Sequence, residues 1–147
     1  LCMMSLSDTV SAAKATRDGA PLIADIPFAQ FLGMRLELDQ QELLFFLPTS
    51  PRLIGNPILP AMHGGAMAGF LESAAMLHLL WTNGSIGMPK LVDFRIDYLR
   101  SAKVLDTWAA VRPLRVGGRV ANLRVEAWQE SPDRIVAVGS GNFLLSG

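Results

Sequence analysis

From His63 to Trp81 the chain reads HGGAMAGFLESAAMLHLLW, and its residue types and spacing are suited to acyl chemistry. The pair Gly64-Gly65 stands where a helix is expected to begin. N–H groups in a first turn lack intrahelical partners and lie at the positive end of the helix dipole. They suit a polarised carbonyl or an oxyanion. Glu72 is the only side chain from Gly64 to Trp81 that is certain to be charged at neutral pH. A carboxylate there can serve as general base or as nucleophile. At about 1.5 Å rise per residue, Gly65 and Glu72 lie roughly 10 Å apart along one helix, too far for a single reacting carbon. Both act on one substrate only if Glu72 of one subunit meets Gly65 of another across a two-fold interface. The spacing therefore predicts a dimer. His63 is read as fixing the loop geometry at the helix N-terminus rather than as a general base, and His78 as structural.

A helix over Gly64–Trp81, stopped by Asn83-Gly84, places Gly65, Ala68, Gly69, Glu72 and Ala75 on one face. Met67, Phe70, Leu71, Ala74 and Leu77 form the other. The bulky face fits a sheet. The small one admits a close neighbour, whether a second helix, a ligand or a partner subunit. Glycine in a helix interior costs about 1 kcal/mol relative to alanine, so repeated glycines need such a reason.

The remaining elements follow from pattern. Residues 7–18 suggest a helix capped by Ser7 or Asp8, and IPFAQFLG a further short turn. Met34–Leu38 and Glu42–Leu47 read as a hairpin turning at Asp39-Gln40-Gln41. Residues 48–62 hold four prolines and one glycine, which argues for a loop without regular structure. After the helix come four strands. In the first, Val92, Phe94, Ile96 and Tyr98 share a face opposite Asp93, Arg95 and Asp97. Residues 103–112 and 119–129 flank the turn RVGGR, with Ala121, Leu123, Val125 and Ala127 apolar along the second. Residues 134–145 close the sheet. This order gives an α+β architecture, one antiparallel sheet wrapped around one long central helix, in a single domain over residues 1–147 with an N-terminal helical extension to about residue 25.

Composition narrows the classes. Half of the 147 residues are hydrophobic and 18% are charged, so a buried core is expected rather than disorder. Residues 1–89 carry four Lys/Arg and seven Asp/Glu, and residues 90–147 carry nine and six, net −3 against net +3. That is too mild for general nucleic-acid binding but enough for a few arginines to hold a phosphorylated ligand. Glu72 interrupts the longest apolar run, so no membrane span is read. The start LCMMSLSDTV shows no secretory pattern, and Cys2 is the only cysteine; both point to a reducing, cytoplasmic setting. With two histidines and one cysteine, no metal site is expected.

These residues resemble the hotdog-fold acyl-CoA thioesterases, in particular the phenylacetic-acid-degradation (PaaI-like) branch. The resemblance runs from Asn56-Pro57 through His63-Gly64-Gly65 to Leu71-Glu72, continues in LVDFRIDYLRSA, and closes at AVGSGNF, covering roughly residues 27 to 145. It implies a homodimer, often paired into tetramers, acting on acyl-CoA, with CoA as part of the substrate and no separate cofactor. It also implies that the Gly65 N–H polarises the thioester carbonyl and that Glu72 comes from the opposite subunit as base or nucleophile. Asn56 would orient the thioester or the water, with His63 as a positioning group. By the same resemblance Gly64 and Tyr98 lie along CoA, with Arg115, Gly117, Gly118 and Arg119 at its phosphates. Many such proteins carry Asp where this chain has Glu72, so base and nucleophile both stay open, and some carry a hydroxyl residue where it has Leu91.

Two other readings share the fold. A hotdog dehydratase or hydratase would place a histidine fourteen residues before the helix glutamate, where this chain has Ile58. A non-catalytic thioester-binding protein leaves Glu72 without a task, and a buried carboxylate without one is a burden on stability.

Overall fold

The computed structural model describes residues 4–40, 42–83 and 87–145. Cys2, Gln41 of the expected hairpin turn and Gly84 of the expected helix stop lie outside them. Three short helices lead the chain: α1 (Leu6–Thr16), α2 (Ala20–Ala24) and α3 (Pro27–Leu32). The cap of α1 is Ser5, one turn earlier than Asp8, because the Ser5 side chain accepts the Asp8 N–H at 3.1 Å.

The hairpin β1 (Arg35–Asp39) and β2 (Glu42–Leu47) follows. The proline-rich stretch is more ordered than its composition suggests. Pro51–Leu53 forms a single 3₁₀ turn capped by Ser50, and β3 (Ile54–Asn56) pairs with β4 (Ala61–Met62) as a small ribbon. Its prolines fit because Pro51 starts the 3₁₀ turn and Pro57 and Pro60 lie in the turn between β3 and β4, where no ladder donor is needed.

Helix α4 (Gly64–Thr82) then crosses the concave face of a six-stranded sheet. Its later strands are β5 (Lys90–Tyr98), β6 (Thr107–Val116), β7 (Val120–Trp128) and β8 (Ile135–Leu144). The order is β1-β2-β6-β7-β8-β5, antiparallel throughout, so β5 has a free edge within the chain. Phe70, Leu71, Ala74 and Leu77 of α4 are fully buried, as are Ala121, Leu123, Val125 and Ala127 of β7. Helical and strand periodicities thus bury matching faces of the two elements. No helix among the described residues is long and apolar enough to cross a membrane.

Two strand expectations need correction. Strand β6 starts at Thr107 rather than 103, because Gln129 takes over the Lys103 backbone, accepting its N–H at 3.0 Å and donating to its carbonyl at 2.8 Å. Val92 does not share the inner face of β5. A bulge between Leu91 and Asp93 turns it outward to 56% exposure, while Leu91, Phe94 and Ile96 pack on the core. Phe94 lies flat against β8, where a Cβ at Gly139 would stand 2.5 Å from its Cζ and one at Gly141 2.7 Å from its Cδ2. The glycines of GSG make room for that ring.

Candidate active site

The first half of the site is built at the start of α4. His63 is the N-cap, with extended backbone, and its N–H donates to the Leu53 carbonyl at 2.7 Å. Its Nδ1 accepts the Gly65 N–H at 2.9 Å. That bond needs a neutral ring with its proton on Nε2. The Gly65 N–H is therefore already engaged, and donating it to a substrate requires the imidazole to give way. Gly55 supports this geometry from β3: a Cβ there would sit 2.6 Å from the His63 Cα, so only glycine lets the ribbon pass so close.

Asn56 is spent on its own loop, its Oδ1 accepting the N–H of Ile58 at 3.0 Å and of Leu59 at 3.2 Å. This side-chain turn holds Ile58 and Leu59 outward, both strongly exposed. Tyr98, at the end of β5, donates its hydroxyl to the Gly64 carbonyl at 2.6 Å and so ties the strand to the first turn of α4.

Glu72 lies elsewhere. It is half-buried on the wall of an open cleft of about 600 Å³ between α4, the α2–α3 junction and the start of β5. Phe28, Met76, Leu91 and Phe143 make much of the lining apolar, with Ser73 and Lys90 beside them. Among the described residues Glu72 has no ion-pair or hydrogen-bond partner, which leaves its oxygens free for a ligand or water. The neighbour admitted by the small face of α4 is in part the chain's own helix α3. A Cβ at Gly69 would meet the Phe28 ring at 2.9 Å.

The basic turn forms a separate hollow. Arg115, Gly117, Gly118, Arg119, Asn122 and Asn142 surround about 410 Å³. The turn is closed by the Gly117 N–H donating to the Val120 carbonyl at 2.9 Å. Arg115 and Arg119 make no ion pair among the described residues, while Arg112 and Arg124 nearby are paired with acids.

The candidate residues thus fall into two groups at opposite ends of β5. At one end are Tyr98, Gly64, Gly65 and His63. At the other, Lys90 and Val120 both pair with Leu144, so the Glu72 cleft and the basic turn share the opposite end of the sheet. The strand between them, Lys90–Tyr98, is roughly 25 Å long at about 3.3 Å per residue.

His78, three quarters of the way along α4, is not part of either group. Its Nδ1 is buried without a partner among the described residues, and burial lowers its pKa from about 6.5 to about 4. The folded state therefore holds it neutral, whereas the unfolded chain protonates it below pH 6.5. Stability from this residue is fully present above pH 6.5 and declines as pH falls toward 4, by on the order of 3 kcal/mol in total. Urea unfolding at pH 7 and at pH 4.5 should show this loss in the wild type and a smaller one in His78→Leu.

A family profile described as the thioesterase superfamily matches residues 59–136, the segment that carries α4 and strands β5 to β7. The medium/long-chain acyl-CoA thioesterase YigI of Escherichia coli is 31% identical over 126 residues, spanning 76% of this chain and 81% of that protein. The chain belongs to the thioesterase superfamily. Among solved structures, a protein of Chromobacterium violaceum superposes with a TM-score of 0.77 at 35% identity, covering 94% of this chain and 96% of that one. A Pseudomonas aeruginosa protein gives 0.71 at 27% identity, covering 83% and 92%. The fold is the hotdog, as the resemblance implied.

In this thioesterase, a thioester hydrolase by class, several residues that shape the site escape the sequence reading. Gly55 is legible only once β3 is known to pass His63. Phe28 sits in a helix far from the motif, and nothing in its spacing ties it to Gly69. Asn142 falls within AVGSGNF, but its partners Asn122 and Asp93 become neighbours only through strand register.

Proposed function

We propose that the protein hydrolyses an acyl-CoA to the free acid and CoA at sites shared between two subunits, with water as the only co-substrate. The observation that carries this reading is the separation of the two groups along β5. The outer edge of β5 is free within the chain, and antiparallel pairing with the same edge of a second copy, centred near Phe94, would bring Tyr98 of one subunit beside the Lys90 end of the other. Such a two-fold joins each Gly65 to the Glu72 cleft across the seam and forms two identical sites.

In that site Glu72 acts in one of two ways. As base it takes a proton from water while the water oxygen bonds to the thioester carbon. The tetrahedral intermediate then expels the CoA thiolate, which receives the proton back. As nucleophile its oxygen bonds to the carbon directly, releasing the thiolate and leaving a mixed anhydride that water cleaves. In both, the Gly65 N–H stabilises the oxyanion once the His63 ring has yielded it. The apolar cleft takes the acyl group. The name of the YigI relative supports medium or long alkanoyl chains, and the cleft volume accommodates them. The deciding experiment is release of free thiol from aryl-CoA and alkanoyl-CoA esters of graded length. Turnover rising with chain length is the expected result. No turnover on any ester by the folded dimer would favour a binding role instead.

A further inference from the structure

The hollow beside the basic turn has a floor that neither phosphate binding nor core packing explains. Four polar residues stand side by side on the outer face of the sheet, one per strand: Arg115 on β6 pairs with Asn122 on β7, which pairs with Asn142 on β8, which pairs with Asp93 on β5. Side-chain bonds run along the row. The Asn142 Nδ2 donates to both Asp93 oxygens, at 3.0 and 3.3 Å, and the Asn122 Nδ2 donates to the Asn142 Oδ1 at 2.7 Å.

The direction of these bonds is dictated by one group. An ionised carboxylate only accepts, so Asp93 forces the amide nitrogen of Asn142 toward itself and its oxygen toward Asn122. Asn142 then forces the nitrogen of Asn122 inward in turn. What remains at the end of the row is the Asn122 Oδ1, a fixed acceptor with no donor among the described residues, lining the same hollow as Arg115 and Arg119, which have no acid partner among those residues. Sites that bind phosphate alone need donors and cations. An oriented acceptor beside them is complementary to a ligand that carries an N–H or O–H donor next to its phosphates.

We propose that the row Asp93–Asn142–Asn122 reads the nucleotide end of the coenzyme. Arg115 and Arg119 take its phosphates, and the Asn122 Oδ1 accepts a hydrogen bond from the adenine amine or a ribose hydroxyl. The proposal rests on the acyl-CoA reading above and deepens it, because it makes CoA rather than a carrier-protein phosphopantetheine the preferred thiol carrier. Asn122 is the contacting residue, and Asp93 and Asn142 are positioning residues that act through it.

Calorimetric titration of the full chain with adenosine 3′,5′-bisphosphate tests the row without reference to hydrolysis. Asn122→Ala and Asp93→Ala, the second removing the acceptor that orients Asn142, should each raise the Kd about tenfold, the effect of one lost hydrogen bond in an oriented site. The inosine counterpart, which lacks the amine, should bind the wild type equally weakly if the amine is the donor and unchanged if the ribose hydroxyl is; either result fits the row. A parallel measurement compares kcat/KM for acyl-CoA with that for the same acyl-pantetheine. In both variants this ratio should fall about tenfold, through KM rather than kcat. Wild-type affinity for the bisphosphate in both variants, no binding by the wild type, or an equal loss on the two thioesters would overturn the proposal, as would preferential hydrolysis of acyl-carrier-protein insensitive to both substitutions. If nucleotide binding depends on the row but no thioester is hydrolysed, the hydrolase reading fails and the row stands.

Discussion

Glu72→Gln is expected to lower kcat on a good acyl-CoA substrate by at least about a hundredfold, the usual scale for removing a general base or nucleophile. The substitution is nearly isosteric. Glu72 has no ion pair among the described residues, so no partner is left stranded and the fold should not suffer. The cleft proposed to take the acyl group keeps its shape, so KM should move little, and a loss confined to kcat would mark an interaction made only in the transition state. Steady-state thiol release at matched dimer content measures both constants. An unchanged kcat would remove Glu72 from the chemistry and leave its place in an apolar helix without a reason.

The second prediction is a gain. Gly65→Pro removes the N–H proposed to hold the oxyanion. No i→i−4 bond is lost at this first-turn position, but the His63 cap is, and the new ring displaces an imidazole whose Cε1 would stand 2.8 Å from a Cβ, so helix content and dimer state are checked first. Alone it should be about as inactive as Glu72→Gln. If each site takes Gly65 from one chain and Glu72 from the other, a mixed dimer of the two variants has one site with both defects and one with neither. Random reassortment makes half of the dimers mixed, so activity should recover to about a quarter of the wild-type value. The measurement is thiol release before and after the variants are unfolded together and refolded as a mixture. Activity that stays at the level of the separate variants would place both groups in the same chain's site and sink the shared-site reading. A merely structural role for Gly65 would not produce recovery on mixing.

How much of this was legible beforehand depended on the range of the interaction. The faces of α4 and the alternation of β7 are local periodicities, and burial followed them residue by residue. The His63 cap was likewise local, set by two residues of separation. Val92 went astray because a bulge adds one residue to a strand without changing its composition. The loop 48–62 went astray because prolines exclude ladder donors only at their own positions, and β3 and β4 pair between them. The row from Asp93 to Asn122 was beyond reach, since its members are 20 or more residues apart and meet through two registers. The candidate site divided the same way: Glu72 and Gly65 could be named from one helix, but the walls around Glu72 come from the α2–α3 junction, α3, β5 and β8.

The contact between Phe28 and Gly69 bears on how such a protein changes its diet. The carboxylate and the N–H donor both belong to one helix, whereas the wall facing Glu72 is supplied by the segment from Asp25 to Phe28, some forty residues earlier in the chain. In the site proposed above, cutter and gauge are thus separate parts. Alterations in the α2–α3 segment can lengthen or shorten the space for an acyl tail without displacing any atom that reacts. Inheritance can therefore conserve the one while it experiments with the other.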